Sequence, residues 1–163
     1  MRQIVSDSLL TLLFIVAQTT LARFLAVGGL PPDIALVWIV YLGIARGQIA
    51  GCTAGFFTGL AFDLLSGNDG MLGLAALAKT VGGFVAGYFY SEKRTAQTLS
   101  TYRFLLVLGL TASVHNLIYF IIFLQGSSVS WWRSILFFGV PAALYTTAVG
   151  LIPMFAFARR AQS

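Results

Sequence analysis

The sequence predicts an all-α polytopic integral membrane protein of about six transmembrane helices, forming a single integral membrane domain over residues 1–163. Three observations predict it. Hydrophobic residues make up 58% of the chain and charged residues 9%, where soluble domains carry about 25% charge. A surface that poor in charge cannot dress itself for water, whereas lipid asks for none. The apolar residues also gather into runs, most of them near the roughly 20 residues a straight helix needs to cross the hydrocarbon. Finally, the basic residues collect in alternate loops, as the positive-inside rule requires.

The first segment runs roughly Ser8–Val27. Acidic Asp7 stands before the apolar run and further spans follow, so the segment is read as a retained helix rather than a cleaved signal peptide. Within it Gln18 is interhelical glue. Arg23 snorkels at its outer end, toward Asp33. The second segment, Asp33–Ala45, opens with Pro31-Pro32-Asp33. Proline suits a first helical turn and Asp33 stabilises an N-terminus, which makes Pro32 and Asp33 an outer-face helix start. This segment is short, roughly 20 Å at about 1.5 Å per residue. Gln48–Leu65 is also slightly short. The two form a shallow hairpin turning at Arg46-Gly47, either re-entrant or in locally thinned bilayer. Met71–Tyr90, Phe104–Leu124 and Ile135–Ala158 complete the set and, with the first segment, reach crossing length. Trp131 and Trp132 beside Arg133 read as an anchor at the outer interface.

With the amino terminus inside, the cytoplasmic stretches hold Arg2, Arg46, Lys93, Arg94, Arg103, Arg159 and Arg160, and the external ones hold Arg23 and Arg133. Counting Asp7 and Glu92 inside and Asp33, Asp63 and Asp69 outside, the two faces carry +5 and −1, and Lys79 in mid-span restores the net +5 of the chain. Both termini are therefore expected to be cytoplasmic. The charge belongs to the flanks of spans, not to a nucleic-acid surface.

The third segment carries Gly47, Gly51, Gly55 and Gly59, followed by Asp63 and Gly67. Steps of four drift by about 40° at 100° per residue, so these form one slowly winding stripe. Lys79, Gly83 and Gly87 repeat the spacing on the fourth segment. Glycine faces let helix backbones approach closely, supplying contacts that lipid cannot replace. An antiparallel pairing of the two stripes is the expected arrangement. Asp63 and Lys79 are ionisable groups at hydrocarbon depth, where a charge is paired or faces a cavity. Two readings stay open: the two pair across an axial offset of roughly 9 Å, or Asp63 caps the turn Ser66-Gly67-Asn68 while Lys79 snorkels. His115-Asn116, midway along the fifth segment, reads either as a proton relay or as a hydrogen-bonded packing element.

Cys52 is the sole cysteine and His115 the sole histidine, so a disulfide, a zinc site and a histidine-rich metal site are not expected. Gly-x-Ser-x-Gly, His-Glu-x-x-His and phosphate-loop patterns do not occur. No catalytic residue, no metal and no cofactor is expected, and the chain reads as not an enzyme.

The run Pro32-Asp33-Ile34-Ala35-Leu36-Val37, then Tyr41, then Arg46-Gly47, resembles the second-helix region of MreD, a bacterial rod-shape-determining family. More specific is Gly55-Phe56-Phe57-Thr58-Gly59-Leu60-Ala61-Phe62-Asp63-Leu64-Leu65-Ser66-Gly67, which resembles that family's glycine-rich helix ending in Asp-Leu-Leu/Ile-Ser-Gly. Gly73-Leu74 and Ala76-Leu77, followed by Gly83 and Gly87, continue the likeness, which at motif level covers about Pro31–Gly87. The remaining spans match in hydropathy, and Lys79 has no secure counterpart. The resemblance implies a non-enzymatic scaffold of the cell-elongation complex that maintains rod shape. Its implied partners are MreC, the MreB filament, and the peptidoglycan synthases RodA and its penicillin-binding protein partner, together with membrane lipids. It also implies a fold similar to the substrate-binding components of energy-coupling-factor transporters. Helix-packing and assembly roles are then expected of Gly51, Gly55, Gly59, Asp63, Gly67, Lys79, Gly83 and Gly87. The alternative is a small-molecule-binding or transport subunit, with Asp33, Asp63 and Asp69 bordering a cavity for a cationic or polar ligand. Sparse polar groups count against it.

Overall fold

The computed structural model describes residues 2–22, 24–65, 71–126 and 128–160; among these the regular elements are helices, with no strand beyond an isolated bridge between Val27 and Leu30. The helices run α1 (Arg2–Thr20), α2 (Ile34–Arg46), α3 (Gln48–Leu65), α4 (Leu74–Gly87), the short α5 (Thr95–Leu99) and α6 (Tyr102–Phe123). A last helical stretch comprises α7 (Trp131–Ser134), a π-helical turn (Ile135–Gly139), α8 (Val140–Val149) and α9 (Leu151–Arg160).

Three of these are long and apolar enough to cross a membrane: Gln48–Leu65, Tyr102–Phe123 and the continuous Trp131–Arg159. Val5–Thr20, Ile34–Arg46 and Leu74–Gly87 are shorter apolar helices. This redistributes the expected lengths. The third segment reaches crossing length, whereas the first and fourth fall among the short ones. The fourth loses its first turn because Gly73, at φ 99°, holds the left-handed conformation at the position before α4, which ends a right-handed helix there.

Helix α2 is the centre of the molecule. Ala35, Leu36, Ile39, Val40 and Ile44 are almost wholly buried, and α1, α3, α4, α5, α6 and α8 all pack on it. A helix apolar on every side belongs in such a position. One residue, Gly47, separates α2 from α3; its φ of 89° is a conformation glycine adopts without steric cost. Aromatic rings tie the periphery to this centre. Phe14 stacks on Trp38 at 5.0 Å, Trp38 on Tyr41 at 5.1 Å, and Tyr41 on Phe157 at 5.2 Å, joining α1, α2 and α9. The Trp38 indole N–H also donates to Thr11 Oγ1 at 2.9 Å.

The outer surface is a coat of Leu, Phe, Val and Ile side chains, among them Leu9, Ile49, Leu64, Leu106, Phe137 and Leu144, suited to lipid. The π turn has a local cause. Pro141 has no N–H to give to a carbonyl one turn earlier, and Val140 N–H donates five residues back, to Ile135. Such a widened turn re-satisfies the backbone beside a proline.

Candidate functional site: a polar cavity above a glycine-packed helix pair

Helices α3 and α4 meet along their small residues in antiparallel register. A Cβ added at Gly51 would stand 2.5 Å from the Gly83 carbonyl oxygen. One at Gly55 would fall on the Lys79 carbonyl, one at Gly59 on Ala75, and one at Gly87 on the Gln48 backbone. Each obstructing atom belongs to backbone, which a rotamer change cannot move. Gly43 of α2 joins the same seam, its Cβ position lying 2.9 Å from the Ala86 methyl. Gly67, with Arg23, Ser66, Asn68 and Asp69, lies outside the described residues.

This register decides the ion pair. Lys79 stands opposite Gly55, eight residues from Asp63 along α3, which is about 12 Å at 1.5 Å per residue. Lys79 therefore does not pair with Asp63. Its ammonium pairs with Asp33 at the start of α2, and lies 5.3 Å from the centre of the Phe62 ring. Lys79 is buried and does not snorkel to an interface.

Asp63 does other work. Its Oδ1 accepts from the Ala75 N–H, and its Oδ2 from the Gly73 and Ala76 N–H groups, each at 3.0 Å. From the last turn of α3 it thus caps the first turn of α4, satisfying donors a helix leaves unpaired. Asp33 plays the equivalent part for α2: Oδ1 accepts from Leu36 N–H at 2.8 Å while Oδ2 faces Lys79. Gln18 of α1 completes that cap. Its Oε1 accepts from the Ile34 and Ala35 N–H groups at 2.6 and 3.2 Å, and its Nε2 donates to the Pro32 carbonyl at 3.0 Å. The Asp33 N–H donates to Thr146 Oγ1 of α8 at 3.0 Å. Pro32 itself is fully buried.

These groups converge on a cavity of about 260 Å³ lined by α1, α2, α3, α4, α6 and α8. Asp33, Asp63, Lys79, Gln18 and Thr146 line it, as do His115 and Asn116 of α6. The Asn116 amide is held by its Nδ2 donating to the Gly139 carbonyl at 2.8 Å, which turns its Oδ1 toward His115 Nδ1 at 3.2 Å. The role of His115 was legible only as a choice between relay and packing; its convergence with Lys79 and Asp33 needs the tertiary fold. Thr146 was not singled out, and nothing in its local sequence marks it.

The opposite end of the bundle is basic. Arg46 at the end of α2 pairs with Asp7 of α1. Thr95 Oγ1 of α5 donates to the Ile44 carbonyl at 3.4 Å, bringing the Arg94 and Arg103 region beside it. Tyr88, Tyr90, Arg94 and Arg103 line a recess there of about 460 Å³. Among the described residues no cluster of His, Cys, Asp or Glu is arranged to hold a metal ion.

A comparison with protein families matches the rod shape-determining protein MreD over residues 1–158. No curated protein and no solved structure matches the chain. The match runs through the glycine-packed α3–α4 pair, the Asp63 cap and all the apolar helices around them. The chain belongs to the MreD family of rod shape-determining proteins.

Proposed function

We propose that this chain is a non-enzymatic membrane scaffold of the cell-elongation complex. In this reading it links MreC outside and MreB filaments inside to the peptidoglycan synthases RodA and its penicillin-binding protein partner. The observation that carries the reading is the family match over residues 1–158, a family described by rod-shape determination. The architecture supports it. A scaffold must present fixed helix faces, and the backbone-to-backbone seam of α3 and α4 is a rigid element of that kind. Around it the lipid-facing surfaces of α1, α6 and α8 offer apolar area to other membrane helices.

The orientation belongs to the same proposal. Arg46, Arg94, Arg103 and Arg159 gather at one end and Asp33 and Asp63 at the other. The basic end is then cytoplasmic, with both termini there and six crossings of the inner membrane. The likeness in fold to the substrate-binding components of energy-coupling-factor transporters is part of this proposal too.

The test is a crosslinked pull-down from native membranes through a carboxyl-terminal tag, followed by mass spectrometry. Recovery of MreC with RodA and a penicillin-binding protein is expected, together with its loss when Gly55→Leu separates α3 from α4. Recovery of none of them from membranes where the tagged chain supports rod shape refutes the scaffold reading.

A further inference from the structure

The chain between α4 and α6 returns over the ends of two apolar helices that pack on each other. The Ser91 carbonyl accepts from the Arg94 and Thr95 N–H groups, both at 2.9 Å, which folds the chain back. Thr95 then holds α5 against the end of α2 through the Ile44 carbonyl. Arg94 precedes α5 and Arg103 follows it, and the fold brings both to one recess of about 460 Å³.

The polar groups of this recess are unspent. The ion pairs among the described residues are Asp7–Arg46 and Asp33–Lys79, so neither Arg94 nor Arg103 has an acidic partner there. No acidic side chain lines the recess, and the two arginines give it a formal +2. The end of α4 and the start of α6 contribute opposite half-charges, which offset. Thr98 also lines the recess and is only 8% exposed. Its hydroxyl makes no hydrogen bond among the described residues. Unlike the Thr58 and Thr111 hydroxyls, it is not sealed from the surface. A buried hydroxyl in that condition costs free energy unless something in the recess bonds to it.

The depth of the recess says where its ligand comes from. Tyr88, Phe89 and Tyr90 stand at its rim, just past the end of α4, where aromatic side chains sit at headgroup level. Its floor is the apolar wall of α6, where Val107 is buried and Leu106 is exposed to lipid. A free phosphate would leave that floor uncovered, whereas a phospholipid lays its glycerol and first methylenes there. Arginine forks match phosphate oxygens, and basic pockets between membrane helices take anionic headgroups. A zwitterionic lipid would bring its own cation to a wall already positive and without a carboxylate.

We propose that this recess binds the headgroup of one anionic phospholipid, with Arg94 and Arg103 on its phosphodiester and the Thr98 hydroxyl bonded to the same group. The site goes beyond the scaffold reading, and the pull-down bears on neither its presence nor its chemistry.

The test uses the full chain in detergent micelles, with native mass spectrometry counting bound lipid. Dioleoyl phosphatidylglycerol is titrated against dioleoyl phosphatidylcholine, so that the headgroups alone differ. One phosphatidylglycerol is expected to be held about tenfold more tightly, the order set by two arginines near a membrane surface. Arg94→Gln with Arg103→Gln should abolish the preference; both residues are exposed, so the core stays intact. Lys93→Gln with Arg159→Gln removes the same charge from exposed positions outside the recess and should leave it. Thr98→Val should weaken binding about threefold, the loss of one hydrogen bond. No preference in the parent, or equal losses in the two double variants, overturns the proposal. Displacement of the lipid by an equal concentration of glycerol 3-phosphate assigns the recess to a free phosphate and overturns it as well.

Discussion

Gly82 and Gly83 sit side by side in α4, and alanine at each tests different surroundings with the same helix. At Gly83 an added Cβ would lie 2.9 Å from the Cys52 backbone nitrogen and closer still to the Gly51 carbonyl. Neither atom can yield unless α3 and α4 move apart along their whole seam. At Gly82 the nearest atoms are the Thr111 Cγ2 at 3.2 Å and the Leu36 Cδ1 at 3.5 Å, both side-chain methyls. Shifts of a few tenths of an ångström accommodate it. Both substitutions gain up to about 1 kcal/mol of helix propensity. Overpacking a rigid contact costs about 1–3 kcal/mol, and the Gly83 contact is closer than that range usually describes. Gly82→Ala is therefore expected within about 1 kcal/mol of the parent, and Gly83→Ala about 2 kcal/mol below Gly82→Ala. Reversible unfolding in bicelles, with both variants in the same lipid, reads the difference directly. Equal stability of the two variants would refute the claim that backbone contact, rather than helix propensity, holds this pair together.

The ion pair and the caps give three further expectations. Asp33→Asn or Lys79→Met each leaves one charge buried without its partner and should cost about 3–5 kcal/mol in the same unfolding assay, while the double substitution recovers most of it. Additive losses in the double variant would show that the two groups do not interact. Asp63→Ala strips three N–H groups of their acceptor. It should cost at least about 1 kcal/mol and speed hydrogen exchange selectively at Gly73, Ala75 and Ala76; unchanged exchange there argues against the cap. Gly73→Ala puts a side chain at φ 99°, with nothing within 4 Å of its Cβ. The expected loss of about 1 kcal/mol is then strain alone, and a stabilised variant would contradict that backbone conformation.

Much of the fold was legible because lipid simplifies the pattern. Apolar runs mark the helices, and glycines at steps of four mark the faces where backbones touch. Asp33 was legible as a helix start because proline, proline, aspartate before an apolar run has a local meaning. Lys79 was not legible to the same degree. Its partner lies 46 residues away, and hairpin geometry offered Asp63 as the nearest acid. That geometry placed the two roughly 9 Å apart; the register of the glycine seam makes it about 12 Å, beyond a lysine's reach. The α4 start was misplaced for a related reason. Met71 and Leu72 are apolar enough to extend the helix, but the left-handed Gly73 and the three amides gathered on Asp63 end it. Hydropathy does not register either one.

The two halves of the site constrain each other. The seam admits no side chain larger than hydrogen at Gly51, Gly55 or Gly59, which sets these glycines against Gly83, Lys79 and Ala75 of α4. That fixation sets where Asp63 meets the α4 amides and how far Lys79 stands from it. Lys79 must then find its counter-charge on a third helix, and α2 supplies Asp33 from a start pinned by Gln18 of α1 and Thr146 of α8. The cavity is thus bounded by groups from six helices, and the glycine contact between two of them sets where Asp63 and Lys79 stand. A change that widens the seam by an ångström should reach Lys79 before it reaches any lipid-facing residue. Loss of the Asp33–Lys79 pair is therefore the first effect expected of Gly55→Leu, with failed partner recovery as its consequence.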